Sequence, residues 1–167
     1  MADNSSDNER IDFVIPWVDG SDPEWLKERN AVSSEGGCGS DSLKNGDSIE
    51  DNSGARYYSW DNLQYWFRGV EKFAPWVNKI HFVTWGHIPP WMNTDAPKLH
   101  IVNHKDYIPE QFLPTFNSNT IELNFHRIEG LSEKFVYFND DVFLLKPAAK
   151  EDFFRNGGPR DMLAFQP

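Results

Sequence analysis

The sequence holds a single cysteine, Cys38, in 167 residues. One thiol cannot close a disulfide within the chain, and there is no Cys cluster of the kind that binds zinc. Cys38 reads as a free thiol in a Gly/Ser-rich loop. Long apolar runs are missing too: none approaches the roughly 18 residues of a membrane helix. The polar opening MADNSSDNER lacks the apolar segment of a signal peptide. Basic residues are scarce beside acidic ones, Lys plus Arg 16 against Asp plus Glu 26, for a net charge of −10. A nucleic-acid binder would carry a basic patch or stripe, so nucleic acid is excluded as a partner. Absent as well are the Walker A, GxGxxG, GxSxG and HExxH patterns, and with them the signals of P-loop, dinucleotide-binding, hydrolase-elbow and zincin chemistry. The default expectation is a soluble intracellular protein without a transmembrane segment.

What is present suits one packed domain. The length is that of a single ordinary domain, and the apolar share of 39%, with 11 Gly beside it, is normal for a globular chain. Acidic residues crowd the first third: residues 1–54 hold 13 acids and 4 bases, residues 55–167 hold 13 and 12. Seven Trp and 13 Phe fit either an aromatic core or a site for ring-shaped ligands.

Residues 1–9 read as a polar tail. Ile11 to Val18 is a nearly continuous apolar run, the pattern of a buried strand. Pro16 within it removes a ladder donor and implies a sheet edge or a strand end. Asp22-Pro23-Glu24 supplies an N-cap and first turn for a helix to about Asn30. Residues 33–55 are acidic and Gly/Ser-rich, too poor in apolar surface to offset ordering entropy, and read as a flexible loop. From Ser59 to Phe73 a helical period begins, with Trp60, Leu63, Phe67 and Val70 on one stripe. Lys79 to Trp85, Leu99 to Asn103 and Lys134 to Phe138 read as strands. Residues 118–129 read as a helix stopped by Gly130, and a short helix is expected over 151–155. Strands alternating with helices predict an α/β fold of three layers, a mainly parallel sheet flanked by helices. Ligands of such sheets bind beyond the carboxyl ends of the strands.

Two acidic turns fall at such ends. Asn139-Asp140-Asp141 sets two carboxylates between Phe138 and Val142. A hard divalent cation with a diphosphate completing its shell would compensate them; a solvated Asx turn is the other reading. Asp19-Gly20-Ser21-Asp22 is either a phosphate-facing turn at a helix N-terminus or a plain helix cap, which explains Asp22 and leaves Asp19 over. Asn119, Glu122 and His126 share one face of the expected helix. His126 is either an acid–base group oriented by Glu122 or a surface histidine beside an Asn119–Glu122 capping box. Arg56, Arg68 and Arg127 are the cations available to an anionic ligand, although Arg68 also suits a solvated helix face. His81, His87, His100 and His104 lack metal-ligand spacing and read as structural.

The run from Ile11 to Trp25 (IDFVIPWVDGSDPEW) resembles the first conserved region of the Stealth family of sugar-1-phosphate transferases. Glu71 to Val77, Pro114 to Asn119 (PTFNSN), Ile121-Glu122, His126-Arg127 and Tyr137 to Phe143 (YFNDDVF) resemble its second. The resemblance divides the chain into a first region at 10–32 and a second at 56–157. It implies that residues 10–167 together form one catalytic domain of nucleotide-sugar-transferase type, the N-terminal portion of a longer enzyme. It implies transfer of a sugar 1-phosphate from a nucleotide sugar, typically a UDP-hexosamine, to a hydroxyl of an acceptor glycan. The setting it implies is capsular or surface-polysaccharide synthesis in a bacterial cytoplasm, in solution or against the membrane. Asp140 and Asp141 would then hold Mg²⁺ or Mn²⁺, oriented by Asn139, with His126 as a further catalytic group. Asp19, Gly20, Asp22, Arg68, Asn117, Asn119, Glu122 and Arg127 would bind substrate. Two rivals stay open: a metal-dependent glycosyltransferase, and a nucleotide-sugar-binding fragment without turnover.

Overall fold

The structure, a computed structural model, describes residues 10–34 and 61–161. The 1–9 tail, Cys38, Arg56, Ser59 and Trp60 lie outside those residues, as does the 33–55 segment beyond Ser34.

Strand β1 (Ile11–Trp17) is central in a four-stranded parallel sheet with β2 (Ile80–Thr84), β3 (Leu99–Asn103) and β4 (Lys134–Tyr137), in the order β3-β2-β1-β4. Its alternate side chains serve two cores. Ile11, Phe13 and Ile15 pack with Phe82, Phe138 and the Leu63, Trp66 and Val70 stripe of helix α2 (Leu63–Phe73). On the opposite face Val14 packs with Val83, Val102, Tyr107, Ile108, Phe125 and Ile128. Both faces are covered, so β1 reads as an unbroken apolar run, as strands of parallel sheets do. Phe13, Ile15 and Trp66 are 0%, 0% and 1% exposed, worth about 1.5–3 kcal/mol each for an aliphatic or Phe side chain and more for Trp. The three-layer α/β expectation holds.

Pro16 sits at a strand end, not at a sheet edge. The Val14 carbonyl accepts from Phe138 N on the β4 side, and Pro16, two residues on, faces that side too. The last β1–β4 pair is Val14 with Tyr137, so Pro16 lies beyond the ladder, where its missing N–H deprives no partner.

Other boundaries shift for local reasons. Helix α1 runs Pro23–Ser34, four residues past Asn30, because nothing in Ala31 or Val32 breaks it. A four-residue helix α3 (His104–Tyr107) follows β3 directly, started by a capping box between Asn103 and Asp106. Helix α4 is only Ser118–Leu123, not 118–129. Asn124 turns its amide back onto the Thr120 carbonyl at 2.8 Å, competing with the backbone ladder. A 3₁₀ turn, Phe125–Arg127, follows and brings Phe125 into the core. The expected 151–155 helix is a 3₁₀ turn, Lys150–Asp152, and then a hairpin of β5 (Phe154–Arg155) and β6 (Gly158–Pro159). Asn156 and Gly157 form its loop with φ of 53° and 83°, the pairing that two-residue hairpins favour.

Candidate active site

From β1 the chain steps outward to β2 and β3, then returns to place β4 on the other side of β1. Strand order therefore reverses between β1 and β4, and open α/β sheets bind ligands in the crevice beyond such a point. A cavity of about 420 Å³ opens there. Pro16 and Trp17 wall it from the end of β1, Asn139, Asp140 and Asp141 from the end of β4, and Glu122 from α4.

The acidic turn after β4 is closed by its backbone, Val142 N to the Asn139 carbonyl at 3.1 Å. Neither Asp side chain is needed to close it, so the Asx-turn reading leaves both carboxylates unexplained. All three residues of the triplet reach solvent. Partial burial, and then the neighbouring Asp141 charge, hold the Asp140 carboxyl above its ordinary value. Among the described residues neither carboxylate forms an ion pair. The Tyr137 hydroxyl donates to the Asn139 side-chain oxygen. Burial, then the Glu122 carboxylate, then Asp140 and Asp141 push that phenol upward, so all these oxygens surround one space. The ligands on offer are carboxylate and amide oxygens, suited to a hard cation. Among the described residues no three His, Cys, Asp or Glu converge as a metal cluster. A cation here would need substrate or water oxygens to complete its shell, as Mg²⁺ characteristically does on phosphates.

The remaining sequence candidates lie elsewhere. Asp19 Oδ1 accepts from Ser21 N at 2.9 Å and Ser21 Oγ at 2.6 Å. The Ser21 hydroxyl is the main reason its carboxyl sits below the ordinary value. Asp22 Oδ1 caps α1 through Glu24 N and Trp25 N, at 2.9 and 2.8 Å. Asp19, Gly20 and Asp22 thus form the local turn just outside the cavity lining. Asn117 caps α4, accepting from Asn119 N and Thr120 N at 2.8 and 3.3 Å, so the capping-box reading of Asn119 with Glu122 gives way to Asn117. Because α4 stops at Leu123, His126 does not share a helix face with Asn119 and Glu122. It is exposed, with Nδ1 2.9 Å from the Leu123 carbonyl. Arg127 is exposed on the same turn, and Arg68 is exposed on α2 with its guanidinium 5.5 Å from the Tyr65 ring. Asn119, His126, Arg68 and Arg127 are not part of the cavity wall.

Among the polar wall residues, sequence reasoning missed His104, Thr115, Ser118 and Tyr137. His104 was legible in one respect, since it follows the carboxyl end of a strand directly.

Two family models match: Stealth protein CR1, conserved region 1, over residues 9–37, and Stealth protein CR2, conserved region 2, over residues 56–161. The chain is 48% identical over 159 residues to the capsular polysaccharide phosphotransferase WcwK of Streptococcus pneumoniae, covering 95% of this chain and 45% of that one. To the capsular polysaccharide phosphotransferase eps5J of Streptococcus thermophilus it is 44% identical over 156 residues, 93% of this chain and 62% of the other. A third similar protein is the receptor polysaccharide phosphotransferase WefC of Streptococcus oralis, at 44% over 159 residues, 95% and 46% of the two chains. The chain thus spans about half the length of the curated relatives it matches. No helix among its described residues is long and apolar enough to cross a membrane.

Proposed function

The chain belongs to the Stealth family, and from that membership we propose that it carries the donor side of a sugar-1-phosphate transferase serving capsular or surface-polysaccharide synthesis. The observation that carries the reading is the pair Asp140 and Asp141, without cationic partners among the described residues, beside Asn139 in a cavity at the β1–β4 switch point. The donor is a nucleotide-activated sugar of UDP-hexosamine type, whose diphosphate lies in that cavity. Asp140 and Asp141 would hold Mg²⁺ or Mn²⁺ there, and the cation would neutralise charge on the phosphate oxygens.

In the transfer, an acceptor hydroxyl oxygen bonds to the sugar-bearing phosphorus. The bond from that phosphorus to the bridging oxygen breaks, and the bridging oxygen leaves with its electron pair on UMP. The product is a phosphodiester between the two sugars. Glu122, the remaining carboxylate of the cavity, takes the hydroxyl proton. Asn139, held by Tyr137, orients the oxygens around the diphosphate. Such transfers rest on positioning and charge neutralisation more than on covalent chemistry. His126, Asn119, Arg68 and Arg127 are assigned no step, since they stand outside the wall.

The test offers UDP-hexosamine, Mg²⁺ and an acceptor glycan to this chain and, in parallel, to a full-length relative. UMP release supports phosphotransfer. UDP release would make the protein a glycosyltransferase, and donor binding with neither product would make the chain a nucleotide-sugar-binding module.

A further inference from the structure

A second cavity, of about 440 Å³, adjoins the acid-lined one, and His104 and Thr115 wall both. Its volume lies in the ordinary range for small-molecule sites. Its chemistry differs from its neighbour's. Among the described residues its charged side chains are Glu28, Glu110 and Lys105, and unlike its neighbour it has no adjacent carboxylate pair to hold a cation on a diphosphate. Apolar surface comes from Trp85, Ile108 and Pro114. Trp85 is half-buried, its carbonyl held by Asn103 Nδ2 at 2.9 Å. The loop that presents it turns at Gly86, where φ is 144° and a Cβ would come within 3.0 Å of that same amide. A lining that combines Trp85, Ile108 and Pro114 with carboxylates and the Asn103 side chain offers both kinds of surface a pyranose needs, apolar for its C–H face and polar for its hydroxyls.

The shared wall adds an independent observation. His104 is 8% exposed, and its Nδ1 is sealed from water without a hydrogen-bond partner. Buried polar atoms are normally paired, so an orphan in a cavity wall calls for an explanation. Burial, with the His87 charge second, holds the ring down to about 4, so it is neutral near pH 7 and brings no charge to the wall shared by the two cavities.

We propose that this second cavity is the acceptor-sugar subsite, with a neutral pyranose on Trp85 and its reactive hydroxyl directed past His104 and Thr115 into the acid-lined cavity. The assignment rests on the donor reading of that neighbour. The lack of an adjacent carboxylate pair among its described lining residues argues against a metal-held diphosphate here, and the shared wall gives the short passage that transfer between two bound substrates requires.

The experiment separates the two cavities. Binding of UDP-hexosamine with Mg²⁺ is followed by calorimetry, and binding of methyl glucoside, galactoside and N-acetylglucosaminide by saturation-transfer NMR. The proteins are the wild-type chain, Trp85→Ala, Glu110→Gln and Asp140→Asn. Trp85→Ala should weaken pyranoside binding at least tenfold and Glu110→Gln several-fold, both leaving donor affinity within twofold. Asp140→Asn should do the reverse. Glu110 is exposed on its turn, so its variant keeps the test valid even where loss of Trp85 disturbs folding. Pyranoside binding that survives both cavity variants, or disappears with Asp140→Asn, overturns the subsite. So does a wild-type chain that binds donor but no pyranoside. Pyranoside binding that depends on Trp85, in a chain that takes no donor, overturns the donor reading alone.

Discussion

Asp12 Oδ2 lies 3.1 Å from His81 Nε2, and neither side chain reaches solvent. The same carboxylate accepts from Asn78 Nδ2 at 2.8 Å, Lys79 N at 3.0 Å and Ser132 N at 2.8 Å. It thereby ties the segments entering β2 and β4 to β1, at the end of the sheet opposite the cavities. His81 Nδ1 in turn meets His100 Nδ1 at 2.9 Å. With Nε2–H donating to Asp12, His81 Nδ1 is the atom left to accept from His100 Nδ1–H. Burial alone would raise the Asp12 carboxyl; the donors from His81, Asn78 and Ser132 outweigh it and hold the group down to about 2.

A carboxyl depressed from 3.8 to about 2 stabilises the fold by about 2 kcal/mol above its unfolded value. That contribution is fully present above about pH 4 and is lost as pH falls toward 2. Asp12→Asn keeps the shape, removes the charge and turns an NH₂ toward at least one donor. It should cost about 3 kcal/mol at pH 7 and flatten the acid limb of the stability curve. Denaturant titrations from pH 7 to 2 measure both. A variant as stable as wild type, with an unchanged acid limb, would remove the buried carboxylate from the architecture.

Strand positions, the parallel sheet and the acidic turn after β4 were legible because each depends on local pattern: apolar runs, turn residues and a strand end. The end of α4 was not, because it depends on the Asn124 amide bonding back to Thr120 and on Phe125 entering the core. Asp12 sat unnoticed inside an apolar run, since its partners Asn78, His81 and Ser132 are remote in sequence. For the same reason Asp22 could be read as a cap from its neighbours alone, whereas the place of His104 between two cavities follows from how the strands assemble.

His87 links two loops beyond the sheet. Asp19 N donates to its Nε2 at 2.7 Å, which requires an unprotonated nitrogen there. Burial lowers the imidazole below its ordinary value, with Asp22 and Asp19 opposing. Stability from this bond is therefore complete above about pH 6.5 and is lost as pH falls through the lowered value. Trp17 and Trp85 lie 5.2 and 5.8 Å from the ring, so protonation should quench their emission. A fluorescence titration should show a step below pH 6.5 that disappears in His87→Gln. A step that persists in the variant would assign the proton elsewhere.

Gly69 is buried in the middle of α2, where alanine would ordinarily stabilise the helix by about 0.5–1 kcal/mol. A Cβ there would stand 3.1 Å from the Leu144 carbonyl. That segment cannot move away freely: Ala148 N bonds the Phe73 carbonyl at 2.9 Å and Trp76 Nε1 bonds the Ala148 carbonyl at 2.6 Å. Overpacking should win, and Gly69→Ala should lose about 1–2 kcal/mol. A higher denaturant midpoint would show that the 142–148 segment yields more easily than these bonds imply.

Asp140 and Asp141 should oppose each other in the absence of ligand. A carboxyl raised by burial and by a neighbouring carboxylate favours its protonated form in the folded state. Its effect has the opposite sign to that of Asp12: stability declines as pH rises above the ordinary carboxylate range, and the loss persists at neutral pH. Asp140→Asn removes the repulsion while keeping the shape, so the ligand-free variant should melt at or slightly above the wild-type temperature at pH 7 and show no gain at pH 3. The closing bond of the turn is a backbone bond, Val142 N to the Asn139 carbonyl, and Asn is itself a good turn residue. Added Mg²⁺ should raise the melting temperature of wild type in the presence of UDP-hexosamine and leave Asp140→Asn and Asp141→Asn unmoved, because stabilisation by a ligand follows its affinity for the folded state. Equal ligand-induced shifts in all three proteins would sink the metal assignment. A variant that melts well below wild type without ligand would instead make the carboxylate a structural part of the turn.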